Sequence, residues 1–72
     1  MLLDQLNINS LRVFERVYQT KSMTAAAKQL NLTQSGVSQH IKNLENSLSV
    51  KLFDRIKHRL IPTKESEQLA TL

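Results

Sequence analysis

The 72-residue chain has no cysteine and no tryptophan, and only one glycine and one proline. Without cysteine there is neither a disulfide staple nor a thiolate metal site, so core packing must hold the fold alone, and the composition suits a reducing cytoplasm. Its two histidines, His40 and His58, are too far apart to form a metal pair on one helix face. No nucleophile–base pair, glycine-rich phosphate loop or ligand cluster is present, so the reading is of a domain that catalyses nothing and carries no cofactor and no metal. Long apolar runs are missing too. Nothing approaches the roughly 20 residues that span a bilayer, and Met1-Leu2-Leu3-Asp4 lacks the basic-then-apolar pattern of a leader. A soluble, cytoplasmic protein with no membrane partner is expected. A chain this short buries only about 60% of its unfolded surface, which leaves room for one domain and one small core.

What the chain does have is localised positive charge. The formal net charge is +4, and Lys51, Arg55, Lys57, Arg59 and Lys64 against Asp54 place all of it within residues 51–64. Elsewhere Arg12, Arg16, Lys21, Lys28 and Lys42 are cancelled by Asp4, Glu15, Glu45, Glu65 and Glu67. Such a concentration is how a phosphate-binding footprint looks in sequence. A solvated basic loop would look the same.

With glycine and proline scarce, element boundaries must be read from caps and periodicity. Asn7 or Asn9 can cap a first helix running to about Thr20, with Leu11, Phe14 and Tyr18 on its core face and Val17 beside them. Ser22 can cap a short second helix in which Met23, Ala26, Ala27 and Leu30 recur at the spacing of one face. Asn31 tolerates the left-handed conformation and stops that helix. Thr33 then caps a third helix to about Leu48, with Val37, Ile41, Leu44 and Leu48 inside. Ser35, Ser38, Gln39, Lys42 and Asn46 turn outward, with Gln34 exposed in the first turn. From Val50 to Ile61 the pattern predicts a short basic hairpin whose second strand Pro62 confines to an edge. Thr63 caps a fourth helix, where Leu69 and Leu72 begin an apolar stripe that the 72 residues do not continue.

Residues 23–41, MTAAAKQLNLTQSGVSQHI, meet the demands of a helix-turn-helix: Ala27 at a close crossing, Asn31 at the turn, Leu32 plugging beneath it, and Val37 and Ile41 inside. A plain helical bundle would rarely place a left-handed-tolerant residue and an N-cap two apart between two such stripes. The fold expected is mainly α: a winged helix-turn-helix with a three-helix core, a two-stranded β-hairpin wing and the start of a fourth helix.

Over about Ile8 to Glu67 the chain resembles the LysR-type transcriptional regulators. The resemblance is carried by SLRVF, TAAAKQLNLTQSGVSQHIKNLE, LSVKLFDR and the Pro62-Thr63 start of the fourth helix. It implies a DNA-binding domain over residues 1–62 and, over 63–72, the beginning of a long linker and dimerisation helix. An effector would bind a domain absent here, and the full protein would act as a homodimer or higher homo-oligomer on an interrupted palindromic operator in double-stranded DNA. The chain departs from the family pattern at Gln39, where a basic residue is common. It departs also at Ser49, Lys57 and Ser66, each standing where a glycine is usual.

Side-chain chemistry narrows the contacts. Gln presents a paired donor and acceptor to a base edge, Ser and Thr suit bases or phosphates, and Lys holds phosphates. By the resemblance, Thr33, Gln34, Ser35, Ser38 and Gln39 fall on contact positions, with Gln34, Ser35 and Gln39 the choices for base edges. Lys42 and Thr24, the latter near the amino end of the second helix, would reach phosphates. Arg55 matches the wing arginine of the family and is the leading wing contact, followed by Lys57, His58 and Arg59. Glu15, Glu45 and Asp54 are read as orienting or capping groups. Gly36 inside the third helix costs roughly 1 kcal/mol relative to Ala, and tight packing against residues 25–27 is the favoured reason over backbone contact with DNA. The reading from a different class is a protein-interaction module whose basic hairpin binds an acidic protein.

Overall fold

The computed structural model describes residues 8–57 and 59–71; Asn7, His58 and Leu72, which figure in the expectations above, lie outside them. The element order is α1 (Ile8–Thr20), α2 (Met23–Leu30), α3 (Gln34–Leu48), β1 (Phe53–Ile56), β2 (Arg59–Pro62) and α4 (Lys64–Ala70). This is a winged helix-turn-helix. No helix among the described residues is long and apolar enough to cross a membrane.

Three helices begin on hydroxyl caps that satisfy an otherwise orphaned amide. Ser22 accepts from the Ala25 N–H, Thr33 from the Gly36 N–H and Thr63 from the Ser66 N–H. Asn9 does not cap α1, since it lies inside that helix.

Each core helix is followed by a residue in the left-handed region, and none of the three is glycine: Lys21 (φ 56°), Asn31 (φ 58°) and Ser49 (φ 56°). Asn31 closes α2 with two crossed bonds. Its N–H donates to the Lys28 carbonyl at 3.3 Å, and the Leu32 N–H donates to the Ala27 carbonyl at 2.8 Å. Leu32 therefore holds the turn through its backbone. The residue is 41% exposed and does not form the buried plug expected.

The core joins Val13, Phe14 and Val17 of α1, Met23, Ala26 and Ala27 of α2, Val37, Ile41 and Leu44 of α3, and Leu52 and Phe53 at the foot of the wing. Ala26 and Ala27 are buried in a helix that packs against both α1 and α3, and their small side chains suit a close crossing. The buried face of α1 is rotated from the expected one. Ser10, Val13, Phe14 and Val17 are buried, whereas Leu11 and Tyr18 only flank the core. Phe14 bridges to the wing, its ring 5.8 Å from that of Phe53.

The wing is an antiparallel pair with Phe53 opposite Pro62, Asp54 opposite Ile61, Arg55 opposite Leu60 and Ile56 opposite Arg59. The strands are shorter than the 50–61 span expected. Lys57 starts the turn at φ 51°, so two of the three positions where the LysR pattern has glycine, Ser49 and Lys57, take the conformation glycine favours, whereas Ser66 lies inside α4. Side-chain bonds help secure the wing's foot. The Leu52 N–H donates to Glu45 Oε2 at 2.8 Å, and Thr63 Oγ1 donates to the Lys51 carbonyl at 2.6 Å.

Candidate nucleic-acid interface

The outward face of α3 follows from its caps and its stripe. With Val37, Ile41 and Leu44 committed to the core, the 3.6-residue period turns Ser35, Ser38, Gln39 and Lys42 to solvent together. All four are exposed, as are Thr33 and Gln34 at the start of the helix. Thr33 is partly engaged: Oγ1 accepts the Gly36 N–H at 3.0 Å and lies 3.3 Å from Ser35 Oγ. Gln39 donates from Nε2 to Asn43 Oδ1 at 2.9 Å.

Gly36 has a local explanation. A methyl group at that position would come within 3.0 Å of the Thr33 capping oxygen, and nothing from residues 25–27 lies within 4 Å. The favoured expectation of tight packing against the alanine segment is thus corrected. Glycine at this site leaves room for the cap that starts the helix.

Two surface grooves connect α3 to the wing. One lies between the middle of α3 and β1, where Ser38 and Lys42 face Lys51, Asp54 and Arg55. The other runs between the start of α2, Gln34 and the wing, taking in Lys21, Ser22, Thr24, Arg55 and Arg59. Arg55 borders both. Its register opposite Leu60 places it on the Phe53 side of the hairpin, toward the helices rather than away from them. Lys51 and Asp54 approach to 3.9 Å with both side chains at least half exposed, a pairing worth little in water.

Residues 8–67 match the model described as "Bacterial regulatory helix-turn-helix protein, lysR family". The chain belongs to this family. Among similar proteins, the HTH-type transcriptional activator AmpR of Citrobacter freundii is 47% identical over 62 residues, which is 86% of this chain and 21% of AmpR. A crystal structure of a probable transcriptional regulator from Pseudomonas aeruginosa superposes with a TM-score of 0.90 at 34% identity, covering 97% of this chain and 24% of the other. The BenM DBD/catB site 1 DNA complex superposes with a TM-score of 0.85 at 31% identity, covering 90% of this chain and 72% of that one. The chain spans only about a fifth of the length of the curated relatives it matches.

In this lysR-family domain, all ten residues singled out for DNA contact are exposed: Thr24, Thr33, Gln34, Ser35, Ser38, Gln39, Lys42, Arg55, Lys57 and Arg59. The grooves bring Thr24, Gln34, Arg55 and Arg59 together at one end, and Ser38, Lys42 and Arg55 at the other. Lys57 lies in the turn, outside both. Lys51, counted in the cationic 51–64 segment but not among the ten contact choices, borders one groove; Lys21, which patterning passes over because it is a lone cation in sequence, borders the other. Of the three acids read as orienting groups, Glu45 pins the wing and Asp54 approaches Lys51. His40 faces inward, its Nδ1 2.9 Å from the buried Ser10 Oγ. Among the described residues no group of three or more His, Cys, Asp or Glu could hold a metal.

Proposed function

We propose that this domain binds double-stranded DNA sequence-specifically on behalf of a cytoplasmic LysR-type transcription regulator. In this reading α3 enters the major groove and the wing lies on the adjacent backbone or minor groove. The carrying observation is the single exposed surface formed by the start of α2, the polar side of α3 and the cationic hairpin, with Arg55 common to both grooves. Support also comes from a DNA complex among the solved structures that this chain resembles.

The parts divide by chemistry. Gln34, Ser35 and Gln39 offer hydrogen-bonding groups to base edges, whereas Thr24, Thr33, Ser38, Lys42, Arg55, Lys57 and Arg59 hold phosphates and set the register. In the full protein, α4 would open a linker helix and two copies would read half-sites about one helical turn, or a multiple of roughly 34 Å, apart on an interrupted palindrome. An effector would act through a further domain.

A mobility-shift titration tests the reading. A labelled duplex from a randomised pool should be retarded in the presence of excess random duplex, and binding should weaken steeply with salt, at a log–log slope near 0.9 per neutralised phosphate. Failure to retard any duplex, together with capture by an acidic protein, would overturn it.

A further inference from the structure

The recognition surface carries one preformed side-chain contact that the reading above does not use. Gln39 Nε2 donates to Asn43 Oδ1 at 2.9 Å, across one turn of α3, and both residues are exposed. A primary amide has two N–H donors and a carbonyl with two lone pairs. Asn43 takes one N–H and so fixes the amide's rotation. With the N–H anti to Oε1 given to Asn43, the syn N–H and Oε1 stay side by side as a paired donor and acceptor on a side chain that α3 turns to solvent. Adenine presents the complement in the major groove, an acceptor at N7 beside a donor at N6.

We infer that Gln39 and Asn43 form an adenine-reading unit, in which Gln39 touches the base and Asn43 is a positioning residue that holds the Gln39 amide in its reading orientation. The inference rests on the DNA-binding reading above. Its physical content is preorganisation: an exposed Gln otherwise loses side-chain rotamer freedom on binding, and the contact with Asn43 removes part of that loss beforehand. Lys42, next to Asn43, serves phosphates instead and carries no base information. The two neighbours therefore act on separable quantities, Asn43 on discrimination and Lys42 on overall affinity.

The test is site selection from a randomised duplex pool with the wild-type domain, Asn43→Ala, Gln39→Arg and the double variant, each checked by thermal melting. Since both residues are exposed and Ala favours helix, folding should be retained. In the wild-type motif one position should show an A·T preference of about tenfold over G·C. Asn43→Ala should lose most of that preference at that position only, with affinity for random duplex and the salt slope unchanged. Gln39→Arg should convert the same position to G·C, since Arg pairs bidentately with guanine O6 and N7, and adding Asn43→Ala to it should change nothing further there. A wild-type motif that Asn43→Ala leaves intact, or weakens evenly at every position, would overturn the inference while leaving sequence-specific binding standing. Recovery of no motif from the wild-type pool would overturn the DNA-binding reading itself.

Discussion

Ser66 is the sharpest test of how this core is packed. Its side chain is fully buried in α4, and its Oγ has no hydrogen-bond partner among the described residues. A buried hydroxyl in that condition costs about 1–3 kcal/mol relative to one that is satisfied. Ser66→Ala removes the group and leaves a void of roughly one water probe, about 10–15 Å³. At about 24 cal/mol per Å³ of cavity, that void costs roughly 0.3 kcal/mol. Alanine recovers up to about 0.5 kcal/mol of helix propensity. The backbone bond from the Ser66 N–H to Thr63 Oγ1 at 3.2 Å is untouched. The net expectation is a gain of about 1–3 kcal/mol. For a domain of this size each kcal/mol raises the midpoint by roughly 4–8 °C, so melting followed by far-UV circular dichroism should show a rise of at least about 4 °C. A midpoint at or below wild type would refute the reasoning, because it would mean that the hydroxyl has a partner or fills space the core needs.

The remaining predictions concern the wing and the turns. Glu45→Ala strips the acceptor from the buried Leu52 amide and should cost about 1–3 kcal/mol in denaturant unfolding, with Glu45→Gln recovering most of it; equal effects of the two variants would refute the pinning role. Ser49→Gly relieves a left-handed non-glycine residue and should stabilise by about 0.5–1 kcal/mol after the added freedom of the unfolded chain is deducted; a fall in the melting midpoint would contradict that strain. Arg55→Ala should weaken specific and non-specific DNA binding alike and lower the salt slope by about 0.9 for each phosphate that the arginine neutralises; an unchanged slope would remove Arg55 from the interface.

The helix-turn-helix is legible in the sequence because its boundaries are chemical. Ser22, Thr33 and Thr63 carry cap oxygens, Asn31 tolerates positive φ, and the α3 stripe leaves only one side for polar residues. Where several faces satisfy the same pattern, the sequence underdetermines the packing. Apolar residues at positions 11, 13, 14, 17 and 18 of α1 define a broad face, and which edge is buried depends on where α3 and Phe53 lie. Leu32 reads as an interior residue by its apolarity, yet its amide makes the decisive contact. Lys21 shows no residue-level sign of a left-handed conformation. For the interface, the period of α3 locates the exposed polar side. The role of Arg55 as the border of two grooves needs the strand register, and the Gln39–Asn43 contact needs coordinates.

One further consequence follows from Thr63. Its hydroxyl donates to the Lys51 carbonyl below the hairpin and accepts from the amide that opens α4, while its own N–H donates to the Leu52 carbonyl at 2.9 Å. A single residue thus rivets the base of the cationic arm to the last helix. Tilting α4 relative to the arm must either break these bonds or carry the arm with it, and valine, which matches threonine in shape but lacks the hydroxyl, would leave just the backbone link between them.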